Sequence, residues 1–257
     1  MEKSILSLTL IQTDLYWENP MANLSMLEEK IWQIDGSTDV IVLPEMFNTG
    51  FTMNVEKCAE PMNLTTFKWM KQIAKQSQAA LVGSFIVKES GFYVNRLLWV
   101  EPSGTFYYYD KRYLFSMAKE NLFFKSGNER LIVSWRGWKI CPLICYDIRF
   151  PEWSRNHFSD GKLSYDCLVY VASFPQARIQ AWDILLPARA IENWSYAVGV
   201  NRVGTDGNQV AYNGHSAIYD FKGNRLAFLE EKPTIQTFSI AKDVLEEYRQ
   251  KFPAYLD

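Results

Sequence analysis

A chain of 257 residues, 48% apolar and 15% aromatic, can bury a sizeable core without a metal or disulfide staple, which excludes a disordered polypeptide. Its net charge is -2, from 27 basic against 29 acidic side chains, and no basic run occurs, so nucleic acid and an anionic membrane are excluded as main partners. The apolar stretch inside MEKSILSLTLIQTDLYW is too short to span a membrane, alternates like a strand and lacks a small-residue cleavage site, so no signal peptide is expected.

In chain order, Ser4 to Thr13 reads as a strand, and Asn19-Pro20 as a helix start, a cap followed by proline at the first helical position. Leu24, Leu27, Ile31 and Ile34 give that helix its apolar stripe. Asp39 to Glu45 is a short buried strand ending in a carboxylate. A helix over Leu64 to Gln76 precedes the strand AALVGSFIV, and NRLLWVEPSGTFYYYDK is a hairpin about Pro-Ser-Gly. RLIVSW, WKICPLICYD and the fully apolar DCLVYVASF are strands, the last buried on both faces. AWDILLPARAIENWSYAVGVNRVG is a helix feeding a strand, with Asp183 in the first turn and a kink expected at Pro187. HSAIYD, a turn at FKGN, and TIQTFSI supply late strands before a polar helix from Lys242 to Lys251. No linker, repeat or low-complexity segment interrupts residues 1–257, so a single α/β domain with layered sheets is expected.

Three of these strands end on one ionisable residue each: Glu45, Lys111 and Cys145. In α/β folds, sites are built at the carboxyl ends of strands. A thiolate there attacks a carbonyl or nitrile carbon, a carboxylate takes the thiol proton, and an ammonium stabilises the developing oxyanion. Taken singly, each has a plainer reading: a solvated glutamate, a surface ion pair beside Asp110, a small core cysteine. The chain has only two histidines, His157 and His215, and neither lies at a strand end of this kind. Cys58, Cys141, Cys145 and Cys167 form no C-x-x-C pair, so free thiols in a reducing cytoplasm are expected. Cys141 and Cys145 share one strand face, but no further Cys or His falls at ligand spacing, which argues against a metal.

The segments LPEMFNTGF, YDKRYLFSMAKENLFFKSG, LICYDIRFPEW and LLPARAIENWSYAVGVNRVG resemble, in this order and over nearly the whole chain, the nitrilase superfamily of carbon–nitrogen hydrolases. PEMFNTGFT and KRYLFSMAKE look most like its omega-amidase branch, which hydrolyses the terminal amide of short 2-oxo acids. The resemblance implies a four-layer α-β-β-α sandwich, a homodimer, and chemistry without a metal or organic cofactor. It implies Glu45 as general base, Lys111 and the Tyr146 backbone N–H as oxyanion donors, Cys145 as nucleophile, and Glu120 as a second glutamate beside the lysine. Positive neighbours at the turn would lower the thiol pKa.

An omega-amidase substrate carries a carboxylate, for which Arg149 and Arg202 are the candidate partners. Arg149 is equally readable as a structural ion pair with Glu152 or another acid. Phe115, Phe174 and Trp182 are candidate pocket walls, and Phe47 and Phe51 candidate shapers of the entrance. Competing functions are another superfamily hydrolase (an aliphatic amidase, a carbamoylase or a nitrilase), a catalytically silent interaction module, and a thiol redox protein, which lacks a resolving cysteine here.

Overall fold

The computed structural model describes residues 3–257, which form two six-stranded mixed sheets packed face to face, each flanked by helices. The first sheet orders its strands Thr234–Ala241, Ile5–Gln12, Val40–Val42, Ala80–Glu89, Phe92–Val100 and Phe106–Asp110. The second orders Arg225–Phe228, Ala217–Tyr219, Tyr196–Asn201, Cys167–Ala172, Trp138–Ile144 and Val133–Trp135.

Side-chain alternation sorts the layers. Leu6, Leu8, Leu10, Val40, Val42, Ala80 and Val82 join Ile140, Val169 and Val171 of the second sheet in one buried cluster. Their in-between neighbours Ile11, Ile41 and Leu81 point the other way, onto Leu24, Leu27 and Ile31 of the helix Pro20–Ile31 and Phe67, Met70 and Ile73 of the helix Thr65–Ser77. A period of two in the strands thus meets a period of 3.6 in the helices. Trp182, Leu186 and Ala190 of the helix Ile179–Glu192, with Leu245 of Lys242–Lys251, pack against the second sheet. The four-layer α-β-β-α sandwich expected from the resemblance is the observed architecture.

Local signals translate directly. Asn19 caps the first helix through its side chain, accepting the Ala22 N–H at 3.2 Å, and Pro20 opens it. The Pro-Ser-Gly hairpin pairs Phe92–Val100 with Phe106–Asp110 in antiparallel register. Pro187 lies inside a single 14-residue helix. The strand Thr234–Ala241 closes the fold by pairing antiparallel with Ile5–Gln12, the first strand. Sequence periodicity missed the short hairpin of Val203–Thr205 with Ala211–Asn213 and the edge strand Arg225–Phe228, because three- and four-residue strands carry too few alternations to register.

Candidate active site

At one edge of the sandwich the chain leaves four strands within hydrogen-bonding reach. Glu45 follows Val40–Val42 of the first sheet, and Ser173 follows Cys167–Ala172 of the second. The two ends are stitched together: Glu45 N–H donates to the Ala172 carbonyl at 3.3 Å, and Ser173 Oγ–H donates to the Glu45 carbonyl at 3.1 Å. Ser173 N–H donates to Glu45 Oε2 at 2.9 Å.

Lys111 ends the hairpin strand Phe106–Asp110, and its ammonium is 1% exposed. It donates to Glu45 Oε1 at 2.8 Å and to both oxygens of Glu120, at 3.1 and 3.0 Å. Asn95 Nδ2 donates to Glu45 Oε1 at 2.9 Å and to Glu120 Oε1 at 3.3 Å. Phe115 N–H donates to Glu120 Oε2 at 2.6 Å. Burial alone would lower the Lys111 pKa, but the carboxylates of Glu120 and Glu45 outweigh it and hold the ammonium charged, above its ordinary range. The Glu120 carboxyl is raised, chiefly by burial, against the pull of Lys111.

Cys145 is the first residue past Trp138–Ile144 and opens a five-residue 3-10 turn, Cys145–Arg149. Its φ of 42° is left-handed, a conformation that costs a side-chain-bearing residue about 1–3 kcal/mol and must be held by its surroundings. The strand ends just before it, and Cys145 lines the cavity whereas Cys141 does not. Asp147 provides the hold. Its carboxylate accepts the Ile144 N–H at 3.0 Å, the Tyr113 N–H at 2.9 Å and the Tyr109 hydroxyl at 2.7 Å. Burial pushes its pKa up to about 6.

The thiol pKa departs from the expectation of a lowered value. Burial pushes it well above the ordinary range, and the Glu45 charge adds to that, against the opposing pull of Lys111. The physical reason is that Lys111 is already neutralised by two carboxylates, and a five-residue 3-10 turn supplies little helix dipole. The Cys145 sulfur is therefore held in its thiol form, beside Glu45.

The thiol opens into a cavity of about 490 Å³, ordinary for a small-molecule site. Lys111, Phe115, Tyr146, Arg149 and Phe174 line it together with Cys145, and Phe51 stands at its wall with Lys111 Nζ 5.2 Å from its ring centre. Three sequence expectations are corrected. Arg202 does not line the cavity: it is fully buried, its Nη2 donates to Asp14 Oδ1 at 2.7 Å, and its guanidinium lies 4.6 Å from the ring of Tyr212, which does line it. Trp182 stands one layer behind Phe174, 5.4 Å between ring centres, with its Nε1–H donated to the His215 carbonyl. Phe47 is core, packed on Trp69 and Phe85.

Arg149 makes no ion pair with Glu152, which instead accepts the Tyr113 hydroxyl. Neither histidine lines the cavity, and His215 pairs with Asp183 at 2.9 Å. Cys58, Cys141 and Cys167 are buried free thiols, and among the described residues no group of three acids, cysteines or histidines is spaced to hold a metal. Sequence reasoning missed Asn95, Ser173 and Asp147. Asn95 was visible only as a polar interruption in an apolar strand, and Asp147 as the charge two residues past the thiol.

The family model described as carbon–nitrogen hydrolase matches residues 7–250. The chain is 45% identical to the omega-amidase YafV of Escherichia coli strain K12, over 98% of this chain and 96% of that one. It is 31% identical to the 2-oxoglutaramate amidase of Bacillus subtilis strain 168, with the same coverage. Among solved structures, XC1258 from Xanthomonas campestris, a CN-hydrolase superfamily protein crystallised with an arsenic adduct in its active site, superposes with a TM-score of 0.97 at 40% identity, covering 99% of this chain and 97% of that one.

Proposed function

Because the chain belongs to the carbon–nitrogen hydrolase family, we propose that it is an omega-amidase, converting the terminal amide of a short 2-oxo acid such as 2-oxoglutaramate or 2-oxosuccinamate to the dicarboxylate and ammonia. The observation that carries the reading is that Lys111 and Cys145 line one cavity, with Glu45 in contact with both and Glu120 holding Lys111.

The chemistry follows from the proton inventory. Glu45 takes the Sγ proton as the sulfur attacks the amide carbon, so a thiolate need not exist beforehand. The carbonyl oxygen gains negative charge, which Lys111 Nζ and the Tyr146 N–H stabilise, each such donor contributing about 2.7–4 kcal/mol. Protonated Glu45 then delivers its proton to the amide nitrogen, the C–N bond breaks, and ammonia leaves a thioester on Cys145. Water, deprotonated by Glu45, attacks the thioester carbon; the C–S bond breaks and the thiol is restored. Glu120 fixes Lys111 through two hydrogen bonds, so the ammonium keeps one direction through both halves. No step calls for a metal or an organic cofactor. Arg149, at the cavity wall, is the partner for the substrate carboxylate.

We read the chain as one domain, working as a homodimer in the cytoplasm. Exposed Ile184 and Ile191, seven residues apart on the outer helix Ile179–Glu192, support pairing, and four free cysteines fit a reducing compartment. The decisive experiment measures ammonia release from 2-oxoglutaramate and 2-oxosuccinamate, with glutamine and a simple nitrile as controls. Turnover of the oxo amides alone, abolished in a folded Cys145→Ala variant, is expected. Silence on both oxo amides, or retained activity in that variant, overturns the reading.

A further inference from the structure

The charged side chains facing the cavity divide into committed and uncommitted groups. Glu18 accepts from Thr52 Oγ1 at 2.7 Å, Asn54 Nδ2 at 3.1 Å and Lys57 Nζ at 3.0 Å. Asp206 accepts from the Asn208 and Val210 N–H groups at 2.8 and 3.0 Å and from the Tyr212 hydroxyl at 3.0 Å. Lys111 is ion-paired with Glu45 and Glu120 at the reacting end of the cavity. Two guanidiniums remain, Arg149 and Arg178. Among the described residues neither forms a salt bridge or a side-chain hydrogen bond, although both line the cavity.

Both are nevertheless positioned. Arg149 closes the turn that Cys145 opens, and its guanidinium carbon lies 5.6 Å from the Phe174 ring centre. Arg178 closes the 3-10 turn Gln176–Arg178 that follows Ser173, 4.9 Å from the Phe115 ring centre. Each ring is anchored: Phe115 N–H donates to Glu120 at 2.6 Å, and Phe174 N–H to Asn201 Oδ1 at 2.7 Å. A guanidinium resting on an aromatic face keeps its in-plane N–H fork free for a carboxylate. The two arginines come from the two turns that bracket the nucleophile, one after Cys145 and one after Ser173.

We propose that Arg178 is a specificity-determining residue: with Arg149 it forms a two-guanidinium clamp that binds the distal carboxylate of the amide substrate and rejects amides carrying an ammonium group. The proposal rests on the amidase reading above and extends it. The clamp selects by sign. The cavity's carboxylates, Glu18 and Asp206, each already accept three hydrogen bonds from the protein, so neither is set to answer the ammonium of an amino acid amide, while two bare guanidiniums repel it. A 2-oxo acid amide has the same length and the same carboxylate but no ammonium.

The test uses the full chain with Arg178→Met and Arg178→Lys, and two readouts. The first is kcat/KM for 2-oxoglutaramate relative to pentanamide, a neutral amide of the same chain length. Arg178→Met is expected to lower that ratio by about tenfold to a hundredfold, through KM more than kcat, and Arg178→Lys to restore part of it. The second is the glutarate concentration that half-protects Cys145 from iodoacetamide, expected to rise by about tenfold or more in Arg178→Met. Equal losses on both amides would mark a structural role, and an unmoved ratio with unmoved glutarate protection would mark a bystander; either overturns the clamp. Should the wild-type chain turn over neither amide, the amidase reading fails by itself, while glutarate protection still decides whether Arg178 binds a carboxylate.

Discussion

The carboxylate of Asp147 accepts the backbone N–H of Tyr113 at 2.9 Å, and so ties the turn that presents Cys145 to the loop just past Lys111. Cys145 and Lys111 therefore share one buried anchor, since the same carboxylate also holds the Ile144 N–H and the Tyr109 hydroxyl. Asp147→Ala should lower stability by about 3 kcal/mol or more, because each buried donor left without an acceptor costs about 1–3 kcal/mol. Urea unfolding measures it, and kcat should fall with it as the left-handed turn relaxes.

The same residue makes a pH prediction. Burial raises its carboxyl to about 6, above the usual value of about 3.9 in an unfolded chain. The folded state binds this proton more tightly, so the contribution of Asp147 to stability is fully present below about pH 4 and is lost as pH rises through about 6. Asp147→Asn has no proton to lose. The stability of the wild type minus that of Asp147→Asn should fall between about pH 4 and pH 6 and stay level above. A flat difference would show that Asp147 is not titrating there.

Glu45→Gln separates thiol reactivity from catalysis. The Glu45 charge is one of the forces holding the Cys145 thiol above its ordinary pKa. Removing it should speed alkylation by iodoacetamide at pH 8, while turnover falls by roughly 100-fold or more for want of a base. Undiminished turnover in Glu45→Gln would place Glu45 outside the proton path.

Lys111→Met leaves Glu45 and Glu120 facing each other without their cation. Breaking one partner out of a buried charged cluster costs about 3–5 kcal/mol, and loss of an oxyanion donor about 100- to 1,000-fold in kcat. Adding Glu120→Gln should recover part of the stability and none of the turnover. Thermal unfolding and initial rates of the single and double variants decide this.

The two sequence-expected arginines should behave oppositely. Arg149→Met should raise KM for a 2-oxo acid amide by about tenfold or more, since a charged hydrogen bond contributes about 1.5–3 kcal/mol. Arg202→Met should leave KM within about twofold, while lowering the unfolding midpoint through loss of the buried contacts to Asp14, the Val203 carbonyl and Tyr212. A large KM effect at Arg202 would contradict its place behind the cavity wall.

Sequence alone determined the strands and helices long enough to repeat their period, the caps at Asn19-Pro20, and the three strand ends carrying Glu45, Lys111 and Cys145. Those are local properties: alternation, capping and the wording of short segments need no knowledge of what lies across the fold. Tertiary structure alone decided which arginine is free and which is paired. Arg202 meets Asp14 across 188 positions of chain, and Ser173 meets Glu45 across 128, so neither pairing leaves a local trace. It also reversed the sign of the thiol shift. The proton on Cys145 depends on how deeply the sulfur is buried and on how Lys111 divides its charge between two glutamates, and both quantities arise only when the two sheets close on each other.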